Sequence, residues 1–237
     1  MENQMIFKRY ELKYLVTKAQ RDEILWTMEP YMTADWFFHS SIRNIYCDTP
    51  NYRLIRQSLD KPVYKEKLRL RSYGPAAMGD DIFVELKKKY ESVVYKRRLE
   101  MPQKQALEAL MGQAPLPDSQ IGREIDAALQ FYQELIPRVF LSYERDAYHA
   151  WDSDFRLTFD DCIRYRTQSL TLDSDPWGEA LLDGDTVLME LKIPDSMPLW
   201  MASLLSRLGI VKASFSKYGA AYQQILLNQQ KGILRYA

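Results

Sequence analysis

The 237-residue chain is 46% hydrophobic and carries 32 basic and 32 acidic residues, a net charge of zero. That level of apolar residues supports a sizeable core. The charge balance excludes a surface that holds nucleic acid or an anionic membrane by general attraction, so any basic site must be local.

No apolar run approaches the roughly 20 residues that span a bilayer, so attachment to a membrane would need a membrane protein partner. Cys47 and Cys162, with no apolar leader ahead of them, predict a reducing, cytoplasmic setting. His39 and His149 stand far apart and lack the spacing of a metal pair. A β-rich chain of this length reads as a single domain, 1–237.

Phe7 to Val16 alternates in character and reads as a strand with Arg9, Glu11 and Lys13 on one face and Tyr10, Leu12 and Tyr14 on the other. Thr17-Lys18-Ala19-Gln20 is a capping-box pattern that opens a helix with Ile24 and Leu25 on its buried side, ending near Pro30. Ile42 to Thr49 is a second strand, stopped by Pro50 and Asn51. Asn51 to Asp60 reads as a short helix.

Three basic strands follow. Lys67, Arg69 and Arg71 recur at every second position, as do Glu85, Lys87 and Lys89, and Val94 to Arg98 adds Lys96. Lys88, Lys89, Arg97 and Arg98 form a charge run that a solvated surface would accommodate. Helical spacing over Lys104–Gln113 and Ile121–Leu135 predicts an insertion around 102–137. Arg138–Tyr148, Phe155–Asp160 and Val187–Ile193 return to strand character and bring Arg145, Arg156, Asp160, Glu190 and Lys192. An amphipathic helix over Leu199–Leu208 stops at Gly209, and a last helix runs on from Phe215-Ser216-Lys217 through Gln229.

The class is therefore α+β. Apolar backs of the strands need cover and amphipathic helices supply it, which predicts an eight-stranded antiparallel β-barrel tunnel with a charged lumen and helices packed outside. Its basic set is Lys13, Arg69, Arg71, Lys87, Lys96, Arg145, Arg156 and Lys192; the acidic set is Glu11, Glu85 and Glu190, with Asp160. Arginine forks and lysine ammonium groups suit phosphate oxygens, and clustered carboxylates suit Mg²⁺ or Mn²⁺. Phosphoryl transfer needs that combination and no nucleophilic side chain. Glu11 and Glu85 fit either a metal or a pairing with neighbouring cations. Tyr14, Tyr46, Tyr73, Tyr143 and Tyr218 read as packing and hydrogen-bonding residues.

Arg69-Leu70-Arg71 followed by Tyr73-Gly74, then Val84-Glu85-Leu86-Lys87, Lys96, Arg145, Glu190-Leu191-Lys192 and Phe215-Ser216-Lys217 resemble the polyphosphate polymerase (VTC) domain of the vacuolar transporter chaperone complex, a branch of the triphosphate tunnel metalloenzymes. The resemblance covers about Phe7 to Gln224. It implies a tunnel in which Mn²⁺ or Mg²⁺ binds beside ATP and the γ-phosphate passes to a growing polyphosphate chain, releasing ADP. By motif position Lys13, Arg69, Arg71, Lys87, Lys96, Arg145 and Lys217 would hold phosphates, joined in the lumen by Arg156 and Lys192, and Glu190 would ligate the metal, with Glu85 and Glu11 as further acids.

Relatives that act as triphosphatases or adenylate cyclases carry Glu-x-Glu-x-Lys on the first strand. Here the positions read Arg9-Tyr10-Glu11-Leu12-Lys13, which favours the polymerase branch. Ser214 stands where eukaryotic polymerases carry a second lysine, and Lys212 is the candidate substitute. Without the sensor domain and membrane helices of the eukaryotic enzyme, the chain resembles a stand-alone prokaryotic version. Hydrolysis of a triphosphate in the same tunnel and non-catalytic capture of polyphosphate are the alternatives.

Overall fold

The structure, a computed structural model, describes residues 10–91, 93–194 and 196–236. Arg9 and the start of the first expected strand lie outside them. The elements are β1 (Tyr10–Thr17), α1 (Lys18–Met28), β2 (Met32–Asp48), α2 (Arg53–Leu59), β3 (Tyr64–Tyr73), β4 (Asp81–Tyr90), β5 (Val93–Pro102), α3 (Gln103–Leu110), α4 (Gln120–Tyr132), β6 (Ile136–Ala150), β7 (Arg156–Arg166), β8 (Glu179–Ala180), β9 (Thr186–Ile193), α5 (Leu199–Arg207) and α6 (Lys217–Tyr236).

The protein is α+β, and its strands form one antiparallel sheet in the order β1-β9-β7-β6-β2-β3-β4-β5, with β8 beside β7. There are thus nine strands among the described residues rather than the eight expected. The pairings run as a path that ends on β1 and β5 and is not closed by hydrogen bonds. The extra strand is the two-residue β8, too short to carry an alternation that sequence could reveal.

The chain gathers into two compact units, residues 1–41, 143–163 and 182–215 in the first, and 42–142, 164–181 and 216–237 in the second. In the first unit Tyr14, Val16, Phe159, Met189 and Leu191 form the apolar back of the strands, and Ile24, Met28, Met201 and Leu204 of α1 and α5 cover it. Thr17 caps α1 as its sequence predicts: its hydroxyl accepts from the Gln20 backbone N–H at 3.1 Å, and the Gln20 side chain accepts from the Thr17 N–H at 3.0 Å. Gly209 follows α5 with φ of 62°, the left-handed conformation that lets the chain leave the helix.

In the second unit Ile45, Leu68, Leu70, Val84 and Leu86 supply the back, covered by Ala106 of α3, Ile125 and Ala128 of α4 and Leu54 of α2. The expected helical insertion is therefore present as α3 and α4. Lys88 and Arg97, read from sequence as solvated, instead pair with Glu124 of α4 at 3.4 and 3.0 Å. Strand β2 begins at Met32 rather than Ile42; its first part breaks the period-two pattern, because Trp36, Phe37 and Phe38 are consecutive aromatics and all exposed. No described helix is long and apolar enough to cross a membrane.

Candidate functional site

Register decides which side chains meet. In the second unit Tyr46, Arg69, Glu85 and Arg98 lie in one row across β2, β3, β4 and β5. The next row holds Lys67, Lys87 and Lys96, and on the other side Asn44, Arg71, Phe83 and Glu100 align. Alternate residues share a face, so these rows make one strongly basic surface.

Glu85 anchors it and is only 1% exposed. Its Oε2 accepts from Arg69 Nε at 2.7 Å, and its Oε1 accepts from Arg98 Nε and Lys96 Nζ, each at 2.8 Å. Burial raises its pKa, but Arg69, Arg71 and Lys96 together hold the carboxyl well below its ordinary range. Arg98 also lies over the Phe83 ring, 4.2 Å from its centroid.

The remaining arms are held from β2 and α6. Asn44, fully buried, accepts from Arg71 Nε at 2.9 Å and donates to the Leu141 carbonyl at 3.0 Å. Arg69 Nη1 donates to the Tyr46 hydroxyl at 3.0 Å. Lys67 Nζ donates at 3.0 Å to Ser216 Oγ, which also accepts from the Gly219 N–H and so caps the helix that Lys217 begins. Tyr46 stacks on Tyr218 with centroids 4.4 Å apart. Burial pushes the Tyr46 phenol up, yet Arg69, Lys67 and Arg71 bring it down to about 8. Tyr218 donates to Asp48 Oδ2 at 2.8 Å, and Asp48, fully buried, accepts from the backbone N–H of Thr49 and from those of Leu54 and Ile55 in the first turn of α2.

The first unit is arranged differently. Lys13 aligns with Glu190 and Thr158, and Glu11 with Lys192 and Arg156, across β1, β9 and β7. Lys13 Nζ lies 3.1 Å from Glu11 and 2.8 Å from Glu190, so two carboxylates converge on one ammonium. Burial lowers the pKa of Lys13, and Glu190 and Glu11 more than reverse it. Arg145 grips Asp160 bidentately at 2.6 and 2.7 Å and reaches Glu190 at 3.6 Å. The Lys192 ammonium is held below its usual pKa by burial and by Arg145. Arg156 is exposed.

Among the described residues no group of three or more His, Cys, Asp or Glu is placed to cage a metal ion. Glu11 and Glu190 fit the looser arrangement in which Mg²⁺ or Mn²⁺ takes one or two carboxylates and fills its shell with water and phosphate oxygens. Glu85 fits less well, because both its oxygens take guanidinium or ammonium partners within 2.8 Å, whereas Glu190 meets Lys13 at 2.8 Å on one oxygen and stands 3.6 Å from Arg145 on the other. Of the expected site residues, Arg69, Arg71, Lys87, Lys96, Glu85 and Lys217 belong to the second unit and Lys13, Arg145, Arg156, Lys192, Glu11 and Glu190 to the first. Lys212 bridges Tyr14, and the Ala213 N–H donates to the Lys13 carbonyl at 2.7 Å, so this segment runs along the strand that carries Lys13.

Arg98, read from sequence only as part of a charge run on a solvated surface, instead joins Glu85, and Asn44 was not singled out. Both were reachable by the same period-two rule, Arg98 two places beyond Lys96 and Asn44 two before Tyr46.

A family model described as "VTC domain" matches residues 8–226. No curated protein matches the sequence. Two crystal structures, each described as a "putative adenylate cyclase", share the fold. The one from Bacillus halodurans is 15% identical with a TM-score of 0.53, the match covering 87% of this chain and 92% of that one. The one from Vibrio parahaemolyticus is also 15% identical, with a TM-score of 0.50, covering 90% of this chain and 97% of that one.

Proposed function

Because the chain belongs to the VTC domain family, we propose that it is a metal-dependent polyphosphate polymerase of the triphosphate tunnel type, transferring the γ-phosphate of ATP to a growing polyphosphate chain in the cytoplasm. The observation that carries this reading is the row of Lys67, Lys87 and Lys96 on three adjacent strands. Like charges set directly opposite one another destabilise a sheet. Their common ligand is then a polyanion, and a flexible chain of phosphoryl groups offers oxygens to all three ammonium groups.

In this reading Arg69 and Arg71 hold phosphoryl oxygens by forked contacts, and their orientation is fixed beforehand by Glu85, Tyr46 and Asn44. Such preorganised cations stabilise charge that develops on the migrating group without having to move. Lys87, Lys96 and Lys217 add point charges along the polymer. In the first unit Lys13, Arg145, Arg156 and Lys192 neutralise the triphosphate, while Glu190 and Glu11 would hold Mn²⁺ or Mg²⁺. Bound there, the ion would supply Lewis-acid neutralisation of phosphate charge. The acceptor is itself a phosphate anion, so no side-chain nucleophile is needed.

Purified protein incubated with ATP and Mn²⁺ tests the assignment directly. Polymer on a gel, with ADP released in step, supports it. Free phosphate without polymer would select the triphosphatase reading, and binding of tripolyphosphate without turnover under any divalent metal would select a polyphosphate-binding module.

A further inference from the structure

Two stacked tyrosines in the second unit differ in what their hydroxyls do. The Tyr218 hydroxyl is committed to Asp48, a fully buried carboxylate. The Tyr46 hydroxyl, on a residue 7% exposed, has one hydrogen bond among the described residues, the one it accepts from Arg69 Nη1 at 3.0 Å. Accepting leaves its own proton to be placed. The charged groups that bear on it are Arg69, Lys67 and Arg71, all donors without an acceptor lone pair.

A buried tyrosine hydroxyl normally finds a partner. Here the partner must be an acceptor brought from outside, and the surrounding cations select an anion. We propose that Tyr46 is a phosphate ligand, its O–H donating to a phosphoryl oxygen held by Lys67, Arg69 and Arg71. This rests on the polyphosphate reading above and adds to it a residue outside the family-matching motifs.

The geometry favours a fixed contact. Stacking on Tyr218 at 4.4 Å holds the ring, and the Arg69 bond orients the oxygen. The phenol, drawn down to about 8, is a stronger donor than an ordinary tyrosine and still carries its proton near neutrality. A donor of this kind suits phosphate, since each phosphoryl unit offers charged oxygens as acceptors.

Metal-free titration of the full chain with tripolyphosphate tests the contact. Tyr46→Phe keeps the ring and its stack, and is expected to weaken binding about tenfold, the loss typical of a hydrogen bond to a charged group. Tyr218→Phe, which keeps the stack but cuts the bond to Asp48, is expected to lower the thermal midpoint and to weaken binding less than Tyr46→Phe does. Equal affinity in wild type and Tyr46→Phe would overturn the proposal. A second measurement needs no substitution: the Cζ resonance of ¹³C-labelled Tyr46 should move as tripolyphosphate is added, and an unmoved resonance at saturation also overturns it. A wild-type protein that binds tripolyphosphate in this way yet makes no polymer would defeat the polymerase reading and leave the Tyr46 contact standing.

Discussion

Across β1, β9 and β7 the charged residues alternate in sign, Lys13 beside Glu190 and Glu11 beside Lys192, whereas across β3, β4 and β5 the lysines repeat, Lys67 beside Lys87 beside Lys96. The first surface neutralises itself. The second concentrates positive charge and sets the single carboxylate of Glu85 against Arg69, Lys96 and Arg98. The difference teaches that similar strands with similar composition can serve opposite tasks, since register rather than content decides whether charges cancel or accumulate. A self-neutralised surface with converging carboxylates suits a divalent ion, and an unbalanced one suits a polyanion.

The sharpest way to break this contrast is to remove a cation from the second surface. Arg69→Ala or Arg71→Ala should reduce polymer synthesis by about 10²- to 10³-fold, the scale of losing a preorganised donor, while circular dichroism shows the fold retained. Synthesis at the wild-type rate in either variant would count against the phosphate-gripping role.

Next in size is Glu85→Gln. Taking away a carboxylate that serves Arg69, Lys96 and Arg98 should cost about 3 kcal/mol of folding stability, measured by urea denaturation, and tripolyphosphate should restore much of it. Glu85 also sets an acid dependence. Its pKa in the folded chain lies far below the ordinary 4.5, so its contribution is complete above that value and is lost as pH falls toward the folded value. Wild type should therefore lose stability as pH drops below about 4.5, and the slope should be shallower in Glu85→Gln.

On the first surface, Glu190→Gln should raise the Mn²⁺ concentration needed for half-maximal synthesis at least about tenfold and leave metal-free tripolyphosphate affinity within about twofold of wild type. A large drop in that affinity would blur the division of labour. The smallest effect belongs to Thr17→Ala, which removes the cap of α1 and should cost about 1 kcal/mol of stability with no change in tripolyphosphate binding.

Much of this arrangement was legible in the sequence because one rule, alternate residues on alternate faces, governs most of it. It gave the faces of Lys67, Arg69, Arg71, Glu85, Lys87, Lys13 and Glu190, and the Thr17 box gave the start of α1. What the rule cannot supply is the offset between neighbouring strands. Whether Glu85 stands opposite Arg69 or Lys67 is set by turn geometry and core packing, so the choice between a metal ligand and a hub for cations was open until the register was seen. Arg98 was passed over for another reason: read with Arg97 as one charge run, it was not separated from it, although alternation sets Arg98 on the face of Lys96, where it meets Glu85, and Arg97 on the other, where it meets Glu124. The β2 extension and β8 left too faint a pattern to read.

Asp48 meets no cation of the grip, yet it fastens the first turn of α2 and, through Tyr218, the opening turn of α6, whose first residue is Lys217. It works as a rivet under the floor rather than a finger in the hand. A substitution there would register in a functional screen as poor handling of substrate by a protein whose every contacting side chain is intact, which makes it a position where damage and cause lie on different elements of the same fold.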